Sequence, residues 1–164
     1  MRDDCGGVTT IRDPLRKTTV LPVSMRRALG DIAQRYGLDL VYAFGSQADL
    51  VAALVTTGAV PSRPTRSDAD IGVVFAGGLP PAGRDRAVTY ARLNLELSDL
   101  LEPLMVDLVF LQENHSVFQA EAIKGHCLYA ASPGVRERYE EMILRRAADF
   151  RPFLLAYLRE ALEG

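Results

Sequence analysis

The sequence predicts an α/β (α+β) domain built on a small mixed sheet, with helices on one face and a C-terminal helical extension. Three observations carry that expectation. Short apolar stretches, Leu38–Phe44, Asp70–Phe75 and Met105–Leu111, have the length and composition of strands. Segments with apolar residues at helical spacing alternate with them. Glycines and prolines punctuate the boundaries, at Gly37, Gly58, Gly77-Gly78-Leu79-Pro80-Pro81 and Pro103.

In chain order, residues 1–20 read as a flexible lead-in, with Gly6, Gly7, Pro14 and clustered charges and threonines. Residues 21–164 read as one domain. Pro22-Val23-Ser24 opens a helix to Tyr36, whose Met25, Leu29, Ile32 and Ala33 share a face and whose end is marked by Gly37. Leu38–Phe44 is the first strand and Ala48–Val55 a helix packed on the sheet. Gly58–Arg66, with two prolines, is a loop, and Asp70–Phe75 is the second strand. Ala82–Leu101 is a long helix with a core stripe of Leu93, Leu97, Leu100 and Leu101, broken at Pro103. Met105–Leu111 is the third strand, Ser116–Lys124 a helix, and Cys127–Ala130 a short apolar stretch. Gly134–Leu162 is helical, with Pro152 expected to kink or split it.

The 164 residues suffice for one domain with a real core, and 48% hydrophobic with 24% charged residues is ordinary for a soluble globular protein. A formal net charge of −2 gives no global basic field for nucleic acid, although Arg26-Arg27 and Arg145-Arg146 are local basic pairs. Cys5 and Cys127 fit neither a zinc spacing nor a disulfide framework. No run approaches the ~20 apolar residues that cross a bilayer, and the acidic start Met1-Arg2-Asp3-Asp4-Cys5 lacks the apolar core of a signal peptide. A cytoplasmic protein is the expectation.

The chemistry concentrates in three segments. Val41-Tyr42-Ala43-Phe44 runs into Gly45-Ser46, and a Gly-Ser turn offers close backbone approach, exposed N–H groups and a hydroxyl, which suit phosphates. Ser67-Asp68-Ala69-Asp70 opens the second strand, so Asp68 and Asp70 point the same way. Asp107 interrupts the apolar run Met105–Leu111, which otherwise reads as fully buried. Three carboxylates brought together repel one another unless a cation neutralises them, and hard oxygen ligands suit magnesium.

Gly-Ser, then Asp-x-Asp, then a third acid on a later strand resembles the DNA polymerase β-type nucleotidyltransferase superfamily. The likeness covers roughly residues 22–164. It tightens toward the minimal nucleotidyltransferase (MNT) proteins, notably MntA-like antitoxins paired with HEPN toxins, through Val106-Asp107-Leu108-Val109, Phe118–Gly125, Leu128-Tyr129 and the tail Tyr139–Leu154. The resemblance implies two magnesium ions (or manganese) held by Asp68, Asp70 and Asp107, with ATP as substrate. Gly45 and Ser46 would bind its β- and γ-phosphates. It implies AMP transfer to a hydroxyl, in the antitoxin group a tyrosine of a HEPN ribonuclease.

The chain departs from the family pattern twice. Gln47–Ser67 is about twice the usual spacer between Gly-Ser and Asp-x-Asp, and Gln47-Ala48-Asp49 replaces the usual arginine and glycine. Arg66 or Arg63 is then a candidate for the missing positive charge on the triphosphate. A catalytically impaired module that neutralises a partner by contact, and an enzyme modifying a small hydroxyl compound, stand as alternatives. The apolar stripe of the last helix (Ile143, Leu144, Phe150, Phe153, Leu154, Tyr157, Leu158) serves either as core or as a face for a partner or a second copy. His115 and His126 have no metal-ligand spacing and read as structural or surface residues.

Overall fold

The computed structural model of the chain describes residues 22–58 and 68–163. The expected lead-in over residues 1–20, the loop after Gly58, Arg63 and Arg66 lie outside the described residues. The elements are α1 (Pro22–Tyr36), β1 (Leu38–Phe44), a 3-10 turn (Gly45–Gln47), α2 (Ala48–Thr57), β2 (Ala69–Phe75), α3 (Arg84–Leu100), β3 (Val106–Phe110), a second 3-10 turn (Leu111–Glu113), α4 (Ser116–Ala122), β4 (His126–Ala130) and α5 (Pro133–Glu163).

The four described strands form one mixed sheet in the order β3-β2-β1-β4. β1 is antiparallel to both neighbours, and β2 and β3 are parallel. The parallel pair requires a crossover, which α3 supplies. Cys127–Ala130, legible in the sequence only as an apolar stretch, belongs to the fourth strand. Five residues give too short a pattern to separate a strand from a turn; it is the free edge of β1 that recruits them.

Strand alternation divides the sheet into two cores. Ala69, Ile71, Val73 and Phe75 of β2 join Leu108 and Phe110 of β3 under α1, α2 and α3. From these helices come Met25, Leu29, Ile32 and Ala33, then Val51, Leu54 and Val55, then Leu93 and Leu97, all buried. Glycines stop the first two helices: Gly37 at φ 63° and Gly58 at φ 70°, whose N–H reaches the Leu54 carbonyl at 2.8 Å. The opposite face carries Leu40, Tyr42 and Val74 beneath Leu111, Ala120, Ala122, Ile123 and Ile143. The C-terminal extension, α4 with the first half of α5, thus lies over the second face. Gly72 permits this closeness, because a Cβ there would sit 2.9 Å from Leu111 Cδ2.

Three details differ from the sequence expectation. α3 begins at Arg84, later than Ala82, because Pro80, Pro81 and Gly83 (φ 93°) hold the chain in a turn; Arg86 fixes it with two donors on the Pro80 carbonyl, at 3.0 and 2.8 Å. Among the described strands β3 lies at the sheet's edge, so its run is not fully buried: Met105 is 70% exposed and Asp107 is exposed too. α5 continues through Pro152 as one 31-residue helix. The carbonyl that Pro152 leaves without an N–H belongs to Ala148, which is exposed and so open to solvent.

Hydrogen bonds fasten α5 to the sheet and to α4. The Tyr42 hydroxyl, on a side chain with no exposed surface, donates to Glu140 Oε1 at 2.9 Å, and Arg136 Nε donates to the same oxygen at 2.7 Å. Tyr139 donates to Gln119 Oε1 at 2.6 Å, and Gln119 Nε2 donates to the Asn114 carbonyl at 2.6 Å. Beyond Ala147 the helix leaves the core: Phe153, Leu155, Tyr157, Leu158 and Leu162 are exposed.

Candidate active site

Asp68 lies just before β2, Asp70 is the second residue of β2 and Asp107 the second of β3. In the parallel register Asp70 stands directly beside Asp107, as Ala69 stands beside Val106. The Ala69 N–H donates to the Met105 carbonyl at 2.7 Å and locks the two strand starts together. Residues side by side in register share a face, and Asp68, two positions before Asp70, shares it as well. Ala69 and Val106 turn the other way, into the α1–α3 core.

The surroundings of Asp70 are consistent with this arrangement. Its carboxyl is pushed above the usual carboxylate range, first by burial and then by the negative charges of Asp107 and Asp68. Among the described residues no three carboxylate, imidazole or thiol side chains are drawn close enough to form a ready-made metal cluster. The donor set fits a hard divalent cation: carboxylate oxygens alone, on one face, with the central one destabilised by its neighbours.

Gly45 closes the other side. Phe44 is the antiparallel partner of Asp70, and the chain turns at Gly45 with φ 70°. A side chain at Gly45 would collide with the Asp70 carboxylate. The turn over Gly45–Gln47 passes into α2, with the Ala48 N–H bonded to the Gly45 carbonyl. Gly45 and Ser46 are exposed beside the carboxylate face, at the mouth of a helix start. From the other flank, Gly125 presses on β1, where a Cβ would strike the Ala43 carbonyl oxygen.

The sequence places Asp49 just after the Gly-Ser turn, but it gives no sign that His126, His115 and Phe118 lie near the site. Asp49, in the first turn of α2, has its Oδ1 2.6 Å from His126 Nε2 on β4, so an imidazole stands against the acid that follows the Gly-Ser turn. His115 caps α4: its Nδ1 accepts the Phe118 N–H at 3.1 Å. Phe44 meets Phe118 edge to face, with centroids 5.8 Å apart. The only sequence signal for the cap is a helix start at Ser116; the other pairs are 74 and 77 positions apart (118 − 44 and 126 − 49) and leave no local pattern.

Comparison with solved structures gives the same architecture. A chain in the crystal structure of a toxin-antitoxin with AMP-PNP aligns at TM-score 0.61 and 17% identity, covering 84% of this chain and 98% of that one. A chain of the toxin-antitoxin MntA-HepT aligns at TM-score 0.55 and 17% identity, covering 86% and 96%. At these identities the likeness is one of fold. No curated protein matches the sequence. The model of the family described as polymerase beta, nucleotidyltransferase, matches residues 28–133, which hold Gly45-Ser46, Asp68, Asp70 and Asp107, and the chain belongs to that family.

Proposed function

We propose that the chain is a metal-dependent nucleotidyltransferase that moves AMP from ATP to a hydroxyl, with a tyrosine of a HEPN-type toxin as acceptor. The observation that carries this reading is the Asp70–Asp107 register, with Asp68 on the same face and the Gly45 turn against Asp70. Asp68, Asp70 and Asp107 would hold one or two magnesium ions, which supply charge neutralisation on the phosphates and a more acidic acceptor hydroxyl. The Gly45 and Ser46 turn would seat the β- and γ-phosphates at the start leading to α2. Arg66, outside the described residues, keeps its candidacy for the same phosphates. Asp107, on the exposed edge strand, is open to an incoming acceptor and takes its proton. The acceptor oxygen bonds to the α-phosphorus as the bond to the bridging oxygen breaks, and pyrophosphate leaves.

The partner assignment draws on two supports. The similar folds come from toxin-antitoxin structures, one of them with AMP-PNP. The second half of α5 exposes Phe153 at 70%, Tyr157 at 68% and Leu162 at 86%, more apolar surface than an isolated helix keeps in water without cause. The described residues contain no helix long and apolar enough to cross a membrane. The same surface also supports a second reading, a module that silences its partner by contact alone.

The test incubates the chain with magnesium, ATP labelled at the α-phosphate, and a HEPN-type protein encoded beside it. Label on a tyrosine of that protein, lost with Asp70→Asn, is the expected result. A stable complex without label selects the contact module. Label only on small hydroxyl compounds replaces the protein acceptor with a small one.

A further inference from the structure

We propose that the nucleotide's base stacks at the outer end of the aromatic row Phe44–Phe118–His115–Phe150, against His115 and Phe150. The inference rests on the nucleotidyltransferase reading and assigns a subsite to residues outside the carboxylate and Gly-Ser motifs.

The row begins at the chemistry. Phe44 is paired across the strands with Asp70, and residues directly opposite in an antiparallel pair share a face. From there the rings follow one another outward. Phe44 meets Phe118 at 5.8 Å and 90°, Phe118 meets His115 at 6.5 Å and 82°, and His115 lies against Phe150 at 6.1 Å and 31°. The row thus crosses from the sheet to α4 and on to α5. Its inner members are half-buried, whereas His115 is exposed and Phe150 is 41% exposed. Rings turned 90° and 82° to one another present no single plane, so the exposed outer pair, His115 and Phe150 at 31°, is the part of the row that offers ring surface to a planar base.

His115 adds directionality. Its Nδ1 is occupied by the Phe118 N–H, which orients the ring and places the neutral imidazole's proton on Nε2. An Nε2–H donor at the edge of a stacking surface suits a heterocycle with ring-nitrogen acceptors, such as adenine. It gives a phosphate only one neutral donor. Position also favours the base over the acceptor's own ring. The row starts on β1, the strand that leads into the Gly45-Ser46 turn, so a nucleotide with its phosphates at that turn and its α-phosphate at Asp70 remains beside the row. The acceptor comes from the side of Asp107, on the edge strand β3, two strands from β1 in the order β3-β2-β1.

The experiment compares ATP with inorganic tripolyphosphate, which carries the phosphates and lacks the base, by calorimetric titration in magnesium. The variants are His115→Asn, which keeps a side-chain acceptor for the α4 cap while removing the ring, and Phe150→Leu, which keeps an apolar group at an exposed position. Each is expected to weaken ATP about tenfold, the scale of one lost base–ring contact, and to leave tripolyphosphate unchanged. Thermal melts confirm that both variants fold. Equal losses for both ligands, or no loss for either, overturn the proposal. So does a loss confined to the KM of the hydroxyl acceptor, which assigns the row to the acceptor. A wild-type chain that binds ATP no better than tripolyphosphate overturns it while sparing the nucleotidyltransferase reading. A wild-type chain that binds neither removes both.

Discussion

Gly45 and Asp70 share one small volume at the ends of β1 and β2: the space a side chain at Gly45 would need is filled by the Asp70 carboxylate. Phe44, one residue earlier, is the register partner of Asp70, so this contact is fixed by the strand pairing itself. The Gly45-Ser46 turn and the central acid of the site are therefore one mechanical unit.

Gly45→Ala tests that unit. The positive φ of 70° disfavours a Cβ by about 1–2 kcal/mol, and the methyl group must also displace Asp70. The fold should survive, because the buried cores do not include Gly45. Nucleotide transfer should fall on the order of 100-fold, the scale of a displacement of about 1 Å at a catalytic group. Kinetics beside a urea unfolding curve separate the two effects. Full activity with an intact fold would show that the turn and the acid work independently.

Asp70→Asn should change stability with a sign set by pH. Burial, then Asp107 and Asp68, hold the Asp70 carboxyl above its ordinary range in the folded chain. Between the ordinary carboxylate pKa and this raised one, the native state binds more protons than the unfolded state, so stability falls as pH rises through the window. At neutral pH without divalent cations the Asn variant should melt higher than the wild type. That gain should fade as pH falls below the ordinary carboxylate range. Added magnesium should then raise the wild-type Tm and not the variant's, since only the wild type keeps the full ligand charge. Transfer activity should be lost. A wild-type melting curve indifferent to magnesium, at concentrations that support transfer, would count against the ligand assignment.

Tyr42→Phe should cost about 2 kcal/mol, the scale of a hydrogen bond to a charged acceptor. The hydroxyl is buried and donates to Glu140, and burial followed by that bond pushes the phenol strongly upward. Because Arg136 still bonds Glu140, the carboxylate is not left without a partner, which caps the loss. Chemical denaturation measures it. Tyr139→Phe makes the companion case on α4, where Gln119, 8% exposed, would lose the Tyr139 donor.

Much of the architecture is legible in the residues. Met25, Leu29, Ile32 and Ala33 announce α1 by spacing, and Gly37 ends it, because helical period and a left-handed stop are local properties. Asp68 and Asp70 share a face by the two-residue period of a strand, whatever surrounds them. The same logic fails where partners are remote. The sequence could not show that β3 is an edge strand, and so read its apolar run as buried; edge position is decided by pairing order. It could not choose between core and partner face for α5, and the structure divides the helix: Ile143 is buried, while Phe153 and Tyr157 are exposed.

Sequence by itself determined the residue types of the site and the local elements that present them. Tertiary structure alone decided that Asp107 stands beside Asp70, that Gly45 yields its side-chain space to that acid, and that His126 faces Asp49. The physical reason is range. Backbone periodicity and turn chemistry act over a few residues, whereas register, like-charge repulsion and close backbone approach exist only once distant segments are packed.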